Sequence, residues 1–397
     1  QDVIDSMNIH RGEDSTSGGK SMMAVVSDIK ADGDNVVFEL SEPVADFPFY
    51  MAQYNFTVCP SKDGVVDQSG VGTGPYVLEA YEPGVRGSGK RNPNYFKDGT
   101  PFFDSFDLLS VNDSAALSTG LLTGQFHVIQ PVDPKTASRL DASPGVSVVS
   151  VAGGSTITMP MHADKAPFNN VDFRLAMKYA VDREELRDKV FQGHASLAND
   201  HPVAPFDRFY NPDIPQRGYD IDKAKYHLKK SGHEGVNVQI HASDAAFAGS
   251  VDAGVLYSES AKKAGINLEV VKEPIDGYWS NVWTKVPFCY CYWGARPTPD
   301  LILSLGYICG ATWGDTNWCH EKFTSLVAAA RVELDTAKRK AIYADVQQIL
   351  HDEGSTIVPV FQNLVHGISD KVDTGGEILG AQPLDTFRLF EKWSFKA

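Results

Sequence analysis

The sequence predicts an α/β fold of two lobes joined by hinge crossovers, and three patterns carry that prediction. In residues 236–293, the alternation of polar and apolar residues that is typical of strands gives way repeatedly to helical spacing. A smaller series of the same kind lies upstream, in residues 76–151. Two extended segments without helical period, 156–162 and 356–362, bracket the larger block. Because a chain that leaves one lobe and later returns must cross twice, these segments predict a hinge.

The larger block contains alternating strand and helix signals. They are, in order, a strand at 236–240, a helix at Val251–Ala264, a strand at 266–270, a helix at Asp276–Lys285 and a strand at Phe288–Trp293. Gly265 follows the first helix, where a residue without a Cβ atom readily takes the conformation that ends a helix. This order predicts a parallel sheet covered by helices.

Helices flank this block on both sides. Asp182, followed three residues later by Glu185, forms a capping box that predicts a helix over Arg183–Phe191. Downstream, Asp335 is placed to cap a helix that Gly354 ends. Apolar stripes at helical spacing mark the core faces of the downstream helices: Phe323, Leu326, Val327, Ala330 and Leu334 in one, and Ile342, Val346, Ile349 and Leu350 in the next.

The upstream series predicts a second, smaller α/β unit. It contains a strand beginning at Tyr76, a strand at Phe103–Val111, a helix at Ser114–Thr123, and strands at Phe126–Ile129 and Val146–Val151. A cleft between two such lobes is where small ligands usually bind. We therefore expect a ligand site between the lobes.

The composition excludes several classes of function. The chain has 397 residues with 36 basic and 51 acidic side chains, which give a net charge of −15. An acidic balance argues against nucleic acid and against anionic membrane surfaces, because both select basic patches. The richest apolar run, residues 301–311, is shorter than the ~18–20 residues of a membrane span. With 42% apolar and 22% charged residues, the sequence is typical of a globular protein with more than one domain.

Two glycine-rich segments approach nucleotide-binding patterns without meeting their requirements. Gly84–Lys90 is similar to a phosphate loop, but Arg91 stands where that loop needs a hydroxyl for magnesium. Gly70, Gly72 and Gly74 lead into a strand, whereas a dinucleotide fingerprint leads into a helix. We therefore predict a turn between two strands at Gly84–Lys90, and no nucleotide cofactor at either segment.

Catalytic and metal-binding patterns are also missing from the sequence. The eleven histidines include no H-E-x-x-H pair, no G-x-S-x-G elbow occurs, and no cysteine has an adjacent base. We predict no metal, no cofactor and no enzyme. His194 and His201 lie in a loop with Asn199 and Asp200. A structural or surface role competes there with a place in the lining of a cleft, and Asn199 and His201 remain candidate ligand-binding residues.

The five cysteines are too few for a disulfide scaffold and too scattered for a zinc ribbon. Cys289 and Cys291 alternate within a predicted buried strand, which favours packed thiols. Cys309 and Cys319 lie ten residues apart in a segment rich in Gly, Thr and Asn. A bridge between them requires an oxidising compartment, and spacing alone does not decide whether it forms.

The most informative segment is residues 290–300, where an aromatic strand ends and Arg296 follows in a short loop with prolines. Ligands bind beyond the carboxyl ends of strands in open α/β sheets, so Arg296 would project into the cleft. Its planar guanidinium suits a carboxylate, and Tyr292 or Trp293 would form a wall. The alternative is a surface Arg296 paired with Asp300, and the sequence leaves both open. The candidate ligand-binding residues are Arg296, Trp293, Tyr292, Asp300, Asn199, His201, Trp313 and Asp315.

Six short segments, in order along the chain, resemble one family. They are Asp2–Asn8, Asn35–Pro43, Gly72–Tyr76, Arg91–Tyr95, Phe173–Asp182 and Asp222–Lys225. Together they resemble the extracellular solute-binding proteins of the peptide/nickel group, the receptors of ABC-type importers. The resemblance implies two α/β lobes that close on a ligand, a third subdomain on the N-terminal side and delivery to a membrane permease. It also implies a monomer that has lost its signal peptide and is periplasmic or lipid-anchored outside the cell, where a Cys309–Cys319 bridge is possible.

One departure from the family concerns the N-terminal part of the fold. Members usually have a substantial segment before the region similar to Asp2–Asn8, so we expect a truncated, cleaved or incompletely recorded chain. The domains predicted on this basis are a remnant of the N-terminal subdomain and first lobe (1–70), the first lobe (71–160), the ligand-closing second lobe (161–360) and a return to the first lobe (361–397).

A second departure concerns the ligand. In relatives that bind peptides, an Asp after the tryptophan-ended strand can hold the amino group of the peptide, and Arg296 stands at the matching place here. A cation in place of an acceptor favours a carboxylate or another anion. We therefore expect a small anionic or zwitterionic solute similar to an amino acid, or a short peptide. The alternatives are a hydrolase acting on small peptides in the cleft and a ligand sensor that signals through a protein partner.

Overall fold

The computed structural model describes residues 1–396 and is built from both helices and strands. The strands are β1 (Val26–Asp32), β2 (Asn35–Leu40), β3 (Ser61–Lys62), β4 (Val65–Val66), β5 (Tyr76–Glu82), β6 (Arg86–Arg91), β7 (Ser105–Leu109), β8 (Val128–Ile129), β9 (Val146–Pro160), β10 (Ala195–Leu197), β11 (Asn237–Ala242), β12 (Asn267–Lys272), β13 (Cys291–Trp293), β14 (Thr356–Ser369), β15 (Val372–Asp373) and β16 (Ser394–Phe395). The helices are α1 (Asp2–Asn8), α2 (Lys20–Met23), α3 (Phe47–Tyr50), α4 (Ser114–Leu122), α5 (Pro134–Asp141), α6 (Val171–Tyr179), α7 (Arg183–Lys189), α8 (Ile221–Ser231), α9 (Ser250–Lys263), α10 (Tyr278–Asn281), α11 (Pro299–Gly306), α12 (Glu321–Val332), α13 (Thr336–Glu353), α14 (Pro383–Phe387, with left-handed dihedral angles at its centre) and α15 (Leu389–Lys392).

The chain divides into two compact units. Unit 2 is the continuous segment Ser150–Val365, and unit 1 combines Gln1–Val149 with the C-terminal segment that begins at His366. Strands β9 and β14 each carry the chain from one unit into the other. The finer division predicted from the sequence, with boundaries after residues 70, 160 and 360, stays a prediction.

The main sheet of unit 2 has the strand order β10, β14, β9, β13. The sequence predicted two separate extended segments here, at 146–151 and 156–162. The structure instead has one continuous strand. A Cβ atom on Gly153 would lie 2.4 Å from the carbonyl oxygen of Gln362 in β14, so the glycine marks a close approach of two strands rather than a loop.

The expectation of one parallel sheet is only partly correct. Strands β11 and β12 are parallel, and a parallel bridge joins His241 to Cys289. The strand predicted next, however, continues as β13, which pairs antiparallel with β9 and places Cys291 opposite Thr158. Residues 288–293 therefore contact β11 through His241 and also pair with a different sheet through Met161 and β9, which a pattern of local periodicity does not reveal.

The capping residue predicted the start of α7 correctly, whereas the length predicted for another helix was wrong. The side chain of Asp182 accepts a hydrogen bond from the Glu185 amide at 2.9 Å, and α7 begins there as predicted. The helix predicted over Asp276–Lys285 is wrong in length, because α10 covers only Tyr278–Asn281. It begins after Gly277 at φ +77° and is followed by Thr284 at φ +62°, two left-handed positions that a longer helix excludes.

The core of unit 2 surrounds this sheet and the β11–β12 pair. Apolar side chains of α6, α8 and α9 pack with those of β9, β11 and β12 in one large cluster. A second cluster joins α11, α12 and α13, and it includes Trp293 of β13. Most residues of the stripes predicted on α12 and α13, among them Phe323 and Val346, are buried in this second cluster, but Leu334 lies beyond the end of α12 and is exposed. Trp293 therefore sits where the sheet meets the helical cluster.

A polar network is buried within unit 2. Asp200 accepts hydrogen bonds from Arg183 and Arg217, both at 2.8 Å, and the side chains of all three are almost completely buried. Lys178 is also fully buried and donates to the carbonyl oxygens of Leu350 and His351 at 2.9 and 3.0 Å. Burial lowers the pKa of Lys178 to about 7, and Asp200 opposes that shift while the neighbouring arginines add to it.

We expect the free energy of unfolding to rise between about pH 7 and pH 9 through Lys178. In that range the unfolded chain still holds the lysine proton and the folded chain has largely released it, so folding becomes more favourable as the pH increases. Urea unfolding at several pH values measures the slope. Lys178→Met cannot titrate and should show a smaller slope; an unchanged slope in that variant would contradict the assignment to Lys178.

Unit 1 contains a three-stranded antiparallel sheet in the order β5, β6, β7. The turn predicted between two strands at Gly84–Lys90 is correct only at its start, because β5 and β6 form a hairpin that turns at Gly84, with φ +74°, and residues 86–90 belong to β6. An antiparallel hairpin offers no helix N-terminus to a phosphate. Within the described range 1–396, no helix is both long enough and apolar enough to cross a bilayer.

Candidate functional site

Unit 2 contains a pocket of about 490 Å³ with mainly aromatic walls. Its lining consists of Trp279, Trp283, Cys291, Tyr292, Trp293, Gly294, Arg296 and Trp313. Four of the six tryptophans of the chain are in this set. A concave site with aromatic walls and few polar groups is typical of small-ligand binding.

Two short elements supply most of the aromatic wall. Trp279 lies in α10, and Trp283 follows it by four residues, with ring centroids 6.0 Å apart and planes at 79°. Strand β13 adds Tyr292 and Trp293, whose centroids lie 5.5 Å from Trp279 and 6.4 Å from Trp283, respectively. These edge-to-face contacts favour a defined arrangement of the rings. The pocket wall is therefore a connected aromatic cluster.

The remaining tryptophan comes from the segment Cys309–Cys319, which a disulfide closes. We call this segment the bridged loop. Its Trp313 lies 6.1 Å from Trp293 by ring centroids, and the Trp313 amide donates to the carbonyl oxygen of Leu305 at 3.0 Å. The side chain of Trp313 is 48% exposed. The bridged loop thus presents a large apolar side chain that is still accessible to a ligand.

Arg296 is the charged member of the pocket lining and is partly exposed. Its Nη1 atom donates to the carbonyl oxygens of Gly294 and Ala295 at 3.0 and 3.3 Å. These contacts hold one side of the guanidinium against its own loop. A guanidinium is planar and carries five N–H donors, a geometry that suits a carboxylate.

Asp315 also belongs to the bridged loop, but it lies behind the wall rather than in the lining. Its Oδ2 atom accepts a hydrogen bond from the indole Nε1 of Trp283 at 3.3 Å, and the residue is 4% exposed. Burial raises the pKa of the Asp315 carboxyl to about 6, although hydrogen bonds from the Trp283 and Trp293 side chains oppose the rise. The carboxyl therefore changes charge close to neutral pH.

The structure separates the other candidates from this pocket. Asp300 is buried and pairs with Arg331 at 3.2 Å. The Asn199 side chain accepts from the Arg217 amide at 2.9 Å and donates to backbone carbonyl oxygens, while His201 is fully buried. These contacts are structural, and none of the three residues is in the pocket lining. Their ligand-binding roles stay predictions without support from this pocket.

Sequence reasoning did not identify Trp279 and Trp283. The available signal was their spacing, because residues four apart lie on one face of a helix. That signal alone does not distinguish a pocket wall from a core face. The pocket wall depends on tertiary contacts, because β13 and the bridged loop place Tyr292, Trp293 and Trp313 in contact with this pair or with each other.

The pocket contains groups that are suited to holding a ligand. Burial raises the pKa of the thiols of Cys289 and Cys291 well above the ordinary value, so both are protonated and weakly nucleophilic at neutral pH. Across residues 1–396, no group of three or more His, Cys, Asp or Glu side chains is arranged to hold a metal ion. Aromatic walls and a guanidinium instead provide stacking surfaces and charge-assisted hydrogen bonds.

The sequence matches known proteins over most of its length. The family model "Bacterial extracellular solute-binding proteins, family 5 Middle" matches residues 1–313. The dipeptide-binding protein of Escherichia coli strain K12 is 24% identical over 371 residues, which cover 86% of this chain and 67% of the relative. This chain thus spans about two thirds of the length of the curated relatives that it first matches.

Solved structures share the fold. The substrate-binding protein CtaP of Listeria monocytogenes superposes with a TM-score of 0.85 at 20% identity, over 99% of this chain and 83% of that chain. The periplasmic binding protein DppA of Helicobacter pylori, in complex with the peptide STSA, gives a TM-score of 0.77 at 20% identity, over 100% and 81% of the two chains. These similarities confirm the predicted α/β fold class.

Proposed function

This chain belongs to the bacterial extracellular solute-binding proteins of family 5, and on that premise we propose that it is the substrate-binding receptor of an ABC importer. It would capture a small solute outside the cytoplasm and deliver it to a membrane permease. Names of its relatives support a peptide-like ligand, since one is called a dipeptide-binding protein and another is described with a bound peptide. Residues of unit 2 would provide part of the ligand site.

The observation that carries this proposal is Arg296 within an aromatic pocket. The guanidinium lies in the same lining as Trp279, Trp293 and Trp313, so one ligand can contact the cation and the rings together. A carboxylate on the ligand matches the guanidinium, and apolar or aromatic side-chain atoms match the indoles. The ligand class that fits is a short peptide or another anionic or zwitterionic solute similar to an amino acid.

We expect Arg296→Ala to weaken binding of such a ligand by about 10- to 100-fold. The loss corresponds to one charge-assisted hydrogen-bond contact, typically about 1.5–3 kcal/mol. Mass spectrometry of molecules retained through purification identifies the ligand, and calorimetric titration then measures the affinity of both proteins. A ligand whose carboxylate is amidated should bind the unchanged protein and Arg296→Ala with nearly equal affinity.

Arg187→Ala provides a matched control, because Arg187 lies in α7 and pairs with Asp188 outside the pocket lining. Its affinity should equal that of the unchanged protein. Equal affinity of Arg296→Ala for the carboxylate ligand would remove Arg296 from the site. Turnover of the ligand during incubation, rather than stoichiometric binding, would favour the hydrolase alternative.

The proposal includes a periplasmic or lipid-anchored location and a monomeric receptor without enzymatic activity. Stimulation of ATP hydrolysis by the cognate permease complex in liposomes tests delivery directly. The liganded protein should stimulate the complex more than the unliganded protein. Binding of ligand together with a soluble signalling partner, and no effect on the permease complex, would favour the sensor alternative.

A further inference from the structure

The bridged loop supplies two side chains to the pocket region from adjoining positions. Trp313 contributes to the accessible wall, and Asp315, two residues further along, turns into the interior beneath Trp283. The bridged loop therefore supplies one wall residue, Trp313, and also the Asp315 carboxylate that contacts a second wall residue, Trp283, from behind. Trp283 has its ring in the pocket lining and its N–H directed to the carboxylate.

The surroundings of Asp315 offer no simple structural reason for a carboxylate. The titratable groups that face it are Cys289, Cys291 and Tyr307, none of which carries a positive charge. A buried carboxyl without a cationic partner is costly in free energy. Its polar contacts are instead the indole groups of the pocket wall. An apolar residue of similar size would fill this space without the cost, but it would not orient the indole.

We propose that Asp315 is a positioning residue, which fixes the orientation of the Trp283 indole in the ligand pocket through the hydrogen bond to Nε1. The proposal deepens the proposed function, because it concerns the same pocket. The consequence for the ligand is a stacking surface that is set before binding, so that less ordering is required when the ligand enters. Loss of the acceptor would leave the indole free to rotate within the wall.

The protonation state of the carboxyl provides a specific signature. A neutral carboxyl is a weaker acceptor than a carboxylate, so the Trp283 contact should loosen as the pH falls from about 7 to about 5. Cys289, Cys291 and Tyr307 stay neutral in that range, because burial raises the pKa of each. A second segment contacts Thr316 and Asn317 of the bridged loop, and it contains His162 and Asp164. Burial lowers the pKa of His162, and the hydrogen bond from Asn317 lowers the pKa of Asp164.

The experiment uses the full chain labelled with 5-fluorotryptophan, which gives one fluorine NMR signal for each tryptophan. Trp283→Phe identifies the Trp283 signal. In the unchanged protein, this signal should move with pH and have a midpoint near 6. Asp315→Asn keeps a neutral acceptor oxygen that cannot titrate, so its signal should stay at one position, near that of the unchanged protein at low pH, at all these pH values. Asp315→Leu should shift and broaden the signal.

Ligand affinity provides the second measurement, with the molecule recovered from the purified protein as the probe. Asp315→Asn should bind within about 3-fold of the unchanged protein, and Asp315→Leu about 10-fold or more weakly. Asp385→Leu is a matched control, since Asp385 is a buried acid in unit 1 that accepts from the Trp393 indole at 3.2 Å. It should leave the Trp283 signal and the affinity unchanged.

Each outcome decides between distinct conclusions. A Trp283 signal that ignores both pH and the Asp315→Leu change would overturn the positioning role. A signal that behaves as expected, in a protein that binds no solute at the pocket, would retain the positioning role and overturn the proposed function. A pH-dependent signal that persists in Asp315→Asn would assign the titration to a group other than Asp315 and also overturn the proposal.

Discussion

Replacing Asp200 by Leu is expected to destabilise unit 2 by about 3–5 kcal/mol, the largest effect that we expect from a single substitution. Asp200 accepts hydrogen bonds from Arg183 and Arg217 and from the Val358 amide at 3.1 Å, and all these contacts are buried. The neighbouring positive charges outweigh the effect of burial and hold the pKa of Asp200 well below its usual range. Removal of this single acceptor leaves buried arginines without their anion. Urea unfolding at neutral pH measures the loss.

The control is an ion pair of the same chemistry on the surface. Asp188 pairs with Arg187 at 2.7 Å, and both side chains are substantially exposed. Asp188→Leu should change the free energy of unfolding by less than about 1 kcal/mol, because solvent screens such pairs. Equal effects of the two substitutions would show that the buried network contributes no more than a surface pair.

Removal of the disulfide is expected to affect stability and ligand binding together. The paired substitutions Cys309→Ser and Cys319→Ser should lower the free energy of unfolding by about 2–3 kcal/mol, because the open loop gains conformational freedom in the unfolded chain. The same change frees the loop that carries Trp313 and Asp315, so the affinity should fall by about 10-fold or more. Thermal unfolding and calorimetric titration, with and without a reducing agent, measure both effects.

Cys59→Ser is the control for the loss of a thiol, because Cys59 lies in unit 1 and is unbridged. It should change the melting temperature by no more than an ordinary surface substitution does, and it should not change the affinity for the ligand. A double serine variant with the native affinity would show that the bridge does not hold the pocket wall. A variant with the native melting temperature would show that the bridge does not stabilise the fold.

Local patterns in the sequence determined the elements whose causes are local. The capping residue Asp182 predicted the start of a helix, because its side chain bonds an amide only three residues away. The turn at Gly84 followed from a glycine-rich segment that fails the phosphate-loop pattern at Arg91, and the structure has Gly84 in the left-handed region between two strands. The family followed from six short segments in a fixed order along the chain, and the family model that matches residues 1–313 confirms it. Arg296, Trp293 and Tyr292 were likewise found from the end of a strand.

Tertiary structure alone decided which residues meet. The pairing of β13 with β9 joins residues more than a hundred positions apart, and no periodicity reports it. Asp315 was a candidate ligand contact in the sequence, and its hydrogen bond from Trp283 depends on how the bridged loop folds back. Asn199 and His201 were predicted from a loop to line a cleft, and the structure buries both outside the lining of the aromatic pocket. One physical reason applies to the strand pairing, to Asp315 and to the pair Asn199 and His201. Local interactions determine the conformation of each segment, whereas burial and long-range hydrogen bonds determine which segments become its neighbours.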